Sequence, residues 1–264
     1  MDNANKRAGF LDEVRGFAII CMVVYHIAFT LEEFYDINVP FLFDEWFYLI
    51  WAVFAGSFIF ISGIVCRYSR NNIKRGAQCF LIGMMLTFIT AVAAPSVAIM
   101  FGILHFLGIS MMIYGLGAAL WDKIPPPAGI AACVFMFAAT WNIDAVWTRY
   151  NGEYVMAQEG VIGFKLIPFL SFSLPRALYE AKLLFPLGLT GAGFFSGDYF
   201  PLFPWVFLFL AGAYVGIYIK RGSFPSFFYT TRVPFLAITG RYTIWIYLLH
   251  QPIAMGILYF IYGY

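Results

Sequence analysis

Arg15-Gly16-Phe17-Ala18-Ile19-Ile20-Cys21-Met22-Val23-Val24-Tyr25-His26 sets an arginine and a histidine eleven positions apart inside an otherwise apolar run. At roughly 100° and 1.5 Å per residue, eleven steps make three turns plus about 20°, so both side chains share one helix face about 16 Å apart. That is about half the depth of a bilayer's hydrocarbon core. Glu33, seven residues further, returns to the same face to within about 20°. Arg15, Met22, His26 and Glu33 therefore form one polar-interrupted stripe along a first membrane span.

The surrounding composition gives that stripe its setting. Hydrophobic residues make up 62% of the 264 and charged residues 11%, with a mean hydropathy of +0.81, whereas a soluble domain is roughly 45–50% apolar and about 25% charged. The chain reads as an integral membrane protein, with membrane lipids as partners and no nucleic-acid partner. Its 31 Phe, 17 Tyr and 7 Trp supply lipid-facing surface and interfacial belts. Cys21, Cys66, Cys79 and Cys133 fall inside or at the ends of apolar segments and read as small buried residues rather than a disulfide framework. The first apolar run is long and lacks a small-residue cleavage site, so it is expected to stay as an anchor.

The predicted fold is an all-α polytopic bundle of about seven spans, forming one membrane-embedded domain over residues 1–264. The spans are expected at Gly16 to Phe34, Trp46 to Cys66, Ala77 to Ala93, Val97 to Leu120, Ala128 to Val146, Asp198 to Ile219 and Arg241 to the end. Pro125-Pro126-Pro127 closes the fourth. Between the fifth and sixth, residues 147–200 are apolar but broken by Lys165, Pro168, Pro175, Arg176, Lys182 and Pro186, which predicts an interfacial or re-entrant outer segment, with a full span as the alternative. With the N-terminus cytoplasmic, every basic residue except Arg149, Lys165, Arg176 and Lys182 falls inside, Lys6 and Arg7 among them, and the first outer loop carries the acidic Glu32, Glu33, Asp36, Asp44 and Glu45.

All three histidines lie in predicted spans, where an ionisable side chain is costly enough to be a functional candidate. His26 is the first candidate for chemistry and His105 the second, with His250 in the last span. An interhelical hydrogen bond from a neutral imidazole is the packing alternative for each. Tyr247, His250 and Gln251 share one face, and Pro252 removes a backbone donor directly after them. Gly102 and Gly108 flank His105 and permit close helix approach. Asp198 reads either as the N-cap of the sixth span or as an acceptor-binding residue at the outer mouth. The basic loop Arg67, Arg70, Lys74 and Arg75 is either a topology signal or a phosphate contact. No metal-ligand spacing, Gly-rich phosphate loop or serine nucleophile elbow occurs, and no metal is expected.

Several pieces together resemble a known family. Arg15 and His26, preceded by Leu11-Asp12-Glu13-Val14, are similar to the arginine-to-histidine signature of the transmembrane acyltransferases. Phe60-Ile61-Ser62-Gly63, Gly102-Ile103-Leu104-His105-Phe106-Leu107-Gly108, Asp198-Tyr199-Phe200-Pro201-Leu202-Phe203-Pro204-Trp205 and Tyr247-Leu248-Leu249-His250-Gln251-Pro252 resemble short bacterial members of the heparan-alpha-glucosaminide N-acetyltransferase catalytic domain family. The resemblance implies acetyl-CoA, or another acyl-CoA, as cytoplasmic co-substrate and an amine- or hydroxyl-bearing acceptor, of sugar or glycan type, reached from the other side. It also implies a bacterial cytoplasmic membrane and an essential role for His26.

On that footing His26 acts as general base or is transiently acylated, with Glu33, His105 and His250 as further catalytic candidates. Arg15, Arg67, Arg70, Arg75 and Arg241 are the candidate holders of the donor's phosphates. Asp198, Tyr247 and Gln251 are candidates for the acceptor. A transporter or flippase without chemistry, whose conduction path the stripe lines, and a structural membrane partner both remain open at this point, as does homo-oligomerisation.

Overall fold

The computed structural model describes residues 8–150, 153–164 and 170–263. Lys6, Arg7, Lys165 and Pro168, which entered the charge count and the broken segment above, lie outside the described residues. In chain order the helices are α1 (Gly9–Tyr35), α2 (Glu45–Cys66), α3 (Asn72–Ala93), α4 (Ile103–Leu116), α5 (Ala118–Trp121), α6 (Pro126–Thr140), α7 (Arg176–Glu180), α8 (Leu202–Lys220), α9 (Pro234–Arg241) and α10 (Thr243–Tyr262). Among the described residues α1, α2, α3, α8 and α10 are long and apolar enough to cross a membrane, and α4 and α6 are shorter apolar helices. Five of the seven expected segments thus hold a helix of spanning length and the other two overlap the shorter α4 and α6, and the protein is an all-α polytopic membrane bundle.

The chain divides into two compact units, one made of Met1–Ile61 with Tyr218–Tyr264 and the other of Ser62–Ile217. In the first unit α1 packs along α9 and α10. The approach of α1 and α9 is set by glycine, because a Cβ on Gly16 would strike the Leu236 carbonyl and one on Gly240 the Asp12 carbonyl. The helix begins at Gly9, seven residues before its expected start at Gly16. The reason lies in Asp12 and Glu13, which are buried at 7% and 6% exposure and have partners within the unit. Glu13 Oε1 accepts the backbone N–H groups of Arg232 and of Val233, the latter at 2.8 Å. A polar prelude thus becomes the first turns of a packed helix.

In the second unit α3 and α4 pair closely, with the Gly108 carbonyl 2.6 Å from where a Gly76 Cβ would stand. A Cβ on Gly63 would strike the Phe209 carbonyl, so α2 and α8 also meet backbone to backbone there. The fourth segment is not one continuous helix from Val97. A 3-10 turn at Pro95–Val97 leads into extended backbone in which Phe101 bridges Tyr199 in parallel, and α4 starts only at Ile103. The pairing wins because Gly197 and Phe200 donate to the carbonyls of Ala98 and Phe101 at 3.2 and 3.0 Å, satisfying backbone that a helix would otherwise have to satisfy.

The fifth segment ends at Thr140 rather than Val146, and the chain then turns into strands. Val146–Tyr150 (β1) pairs antiparallel with Glu153–Gln158 (β2), and Val161–Gly163 (β3) with Ser171–Ser173 (β4). The β-branched and aromatic residues Val146, Trp147, Thr148, Tyr150, Tyr154 and Val155 suit an extended ribbon better than a helix. Among the described residues of this outer segment no helix is long enough to span, and its small core gathers Ile143, Ala145, Tyr179 and Leu189. Burial pushes the Tyr179 phenol up to about 12, so it stays protonated and donates to the Ile143 carbonyl at 2.7 Å.

Candidate functional site

The first unit places two histidines face to face. His26, about two-thirds of the way along α1, and His250, on α10, have ring centroids 5.1 Å apart with their planes at 53°. His26 also lies against the Tyr25 ring at 5.3 Å, and His250 against Tyr247 at 5.8 Å. One helical turn beyond His26, Thr30 is fully buried and donates to the His26 carbonyl at 2.7 Å. Gln251 Nε2 donates to that same Thr30 hydroxyl at 2.7 Å, tying α10 to α1 directly beside the imidazoles.

The tautomer of His250 follows from its partner. Nδ1 stands 2.7 Å from the Tyr247 carbonyl, which can only accept, so Nδ1 carries the proton and Nε2 of the neutral ring presents a lone pair. Nε2 of His250 and Oε1 of Gln251 are both buried and find no hydrogen-bond partner among the described residues. Glu33, by contrast, is exposed at the far end of α1, while its neighbour Glu32 accepts the Val39 N–H and orders the following loop.

At the other end of α1, Arg15 donates through Nη2 to Thr243 Oγ1 at 2.8 Å and approaches Asp12 at 3.9 Å. Arg241 approaches the other oxygen of Asp12 at 3.7 Å and is itself exposed. Two guanidiniums thus share one buried carboxylate.

The second unit builds a different kind of histidine site. His105, 2% exposed, occupies the first turn of α4 and accepts the Gly102 N–H on Nδ1 at 3.2 Å. Its Nε2 faces Thr87 Oγ1 at 3.3 Å, and that hydroxyl spends its proton on the Ile99 carbonyl at 2.6 Å. Both ring nitrogens are therefore committed, Nε2 as donor. Asp198 accepts the Ile103 N–H at 2.9 Å. It caps α4, ninety-five residues away in sequence, and not the nearby α8 that was expected to start from it. Arg67 donates to the Ala213 carbonyl at 2.9 Å, pairs with Asp122 and lies over the Tyr114 ring. Arg70 and Arg75 are exposed, and Asn71 caps α3 by accepting the Lys74 N–H. In the outer segment burial raises the Asp144 carboxyl, although it accepts from Thr190 and Ala145.

Compared with known protein families, residues 7–252 match the catalytic domain of heparan-alpha-glucosaminide N-acetyltransferase. The chain belongs to that family. No curated protein and no solved structure matches it. Membership of the heparan-alpha-glucosaminide N-acetyltransferase family makes it a member of a membrane acetyltransferase family, and the matched region takes in Arg15, His26, His105, Asp198, His250 and Gln251. Several residues that contact these side chains carry weak or no signal in the sequence. Thr30 was detectable as the position four after His26, on the same face. Asp12 and Glu13 were detectable as carboxylates abutting an apolar run, but Thr87 and Thr243 carry no signal until the helices are packed.

Proposed function

We propose that this protein is an acyl-CoA-dependent acetyltransferase of the cytoplasmic membrane of a bacterium, moving an acetyl group from a cytoplasmic donor to an amine or hydroxyl of a sugar-type acceptor on the opposite side. The observation that carries the reading is the imidazole pair of His26 and His250, 5.1 Å apart, on a helix whose other end bears Arg15 and the neighbouring Arg241. The axial distance from Arg15 to His26, about 16 Å by helix rise, is comparable with an extended pantetheine arm.

In this reading Arg15 and Arg241 hold the donor's phosphates, with Asp12 keeping both guanidiniums aimed when no anion is bound. The thioester carbonyl then reaches His26, and the imidazole pair supplies the base that removes the acceptor's proton. In the second unit Arg70 and Arg75 are exposed cations open to a phosphate, while Arg67 anchors its loop through Asp122 and the Ala213 carbonyl. Glu33 and Tyr247 belong to the acceptor's approach. His105 and Asp198 shape the start of α4 through the Gly102 and Ile103 N–H groups. The two units serve one membrane domain, with the N-terminus cytoplasmic.

The test mixes purified protein with radiolabelled acetyl-CoA and follows CoA release and acetyl transfer. His26→Ala is expected to abolish transfer while leaving donor binding intact, and Arg15→Ala to weaken donor binding by about 10- to 100-fold, the range for a lost charge-assisted hydrogen bond. Donor that neither binds nor is cleaved, or a His26→Ala variant with full activity, would end the enzyme reading. Solute movement without thioester cleavage would indicate a transporter.

A further inference from the structure

The paired imidazoles are not equivalent, and the hydrogen bonds around them say which one does what. Nδ1 of His250 is bound to a carbonyl of its own helix, so Nε2 is held as a lone-pair acceptor. That geometry presets a base. On Gln251, the amide is oriented by a chain of donors. Thr30 spends its only proton on the His26 carbonyl, so it must accept from Gln251, which therefore presents its nitrogen to Thr30 and turns its oxygen away. Consecutive residues of α10 thus present two buried acceptor atoms, His250 Nε2 and Gln251 Oε1, with no donor among the described residues. Buried polar atoms without partners are rare and mark places where function requires them. His105, both of whose nitrogens are used, shows that this fold can satisfy a buried histidine.

Resting on the acetyltransferase reading above, we propose that His250 is the catalytic residue that takes the acceptor's proton on Nε2, and that Gln251 Oε1 binds the acceptor group. The acceptor nitrogen or oxygen attacks the thioester carbonyl, forming the new C–N or C–O bond as the C–S bond breaks. The N–H or O–H proton passes to His250 Nε2. It is then returned to the departing thiolate, so that acetyl-CoA and acceptor become acetylated acceptor and CoA thiol with nothing left over. His26, at 5.1 Å from His250, faces the reacting carbonyl across the pair.

The experiment uses the full-length protein in detergent, radiolabelled acetyl-CoA as donor and glucosamine as acceptor. His250→Ala is expected to lower kcat by about 100-fold or more, the usual contribution of a general base, with acetyl-CoA binding unchanged and partial recovery on adding imidazole. Gln251→Leu is expected to raise KM for glucosamine more than it lowers kcat, and Gln251→Glu, which keeps an accepting oxygen, to do so less. A His250→Ala variant at wild-type rate, or one that still binds acetyl-CoA yet is not rescued by imidazole, overturns the assignment. Should the wild-type protein transfer nothing, the acetyltransferase reading fails by itself, and nitrogen-15 NMR of the histidines still decides the local claim. Nε2 of His250 is expected unprotonated and shifted by glucosamine, and a protonated or unresponsive Nε2 overturns it.

Discussion

His105 and His250 are both partly or wholly buried in apolar helices, yet they are wired in opposite ways. His105 has a donor on one nitrogen and an acceptor on the other, and its ring is stacked on Phe101 and crossed by Phe80. His250 has one nitrogen held and the other bare. The difference lies in where each histidine sits. At the first turn of α4, orphan N–H groups are available and an imidazole can accept one. In the middle of α10 the helix consumes its own donors, so the second ring nitrogen must find its partner outside the helix. Burial alone does not separate a fully hydrogen-bonded histidine from one with a free nitrogen. The partner of the second nitrogen does.

That contrast can be broken most forcefully at His105. His105→Ala orphans the Gly102 N–H and deprives Thr87 of its donor, so it is expected to cost roughly 1–3 kcal/mol for each buried group left unpaired, read as a lowered Tm in detergent, with transfer per folded molecule retained. Full stability combined with lost transfer would move His105 into the chemistry. Asp198→Ala removes the cap on the Ile103 N–H and is expected to cost about 0.5–2 kcal/mol, whereas Asp198→Asn, which keeps an accepting oxygen, loses less. An altered KM for acceptor without a stability change would instead place Asp198 at the acceptor. Weakest of all, Arg176→Ala breaks an exposed pair with Glu180 on α7 and is expected to shift stability by no more than about 0.5 kcal/mol. Circular dichroism melts of the three variants side by side check the ranking.

Much of the fold was legible because a bilayer imposes it. Apolar runs long enough to span must close their own backbone hydrogen bonds, so α1, α2, α3, α8 and α10 could be read from hydropathy. The starts of α2 and α10 were legible to within one or two residues, but that of α1 was not. α1 reaches back to Gly9 because the buried Asp12 and Glu13 find partners on Arg241 and the backbone at residues 232 and 233, contacts between residues more than two hundred positions apart. The strands β1 to β4 were missed because the outer segment was read for hydrophobicity and prolines, not for the β-branched and aromatic content of Val146 to Tyr150. For Asp198, sequence proximity suggests a cap on α8 as one of its two readings, while the fold delivers its carboxylate to α4.

The sequence by itself determined that this protein lives in a membrane, that Arg15 and His26 share a helix face, and that three histidines stand where ionisable groups are costly. Those conclusions need only periodicity and transfer energetics, which act within one segment. Only the tertiary structure decided that His26 meets His250, that Thr30 and Gln251 clasp the two helices, and that His105 is spent on its own helix start. Which lone pair stays free depends on the partner each polar atom finds across a helix interface, and one helix's periodicity carries no record of what packs against it.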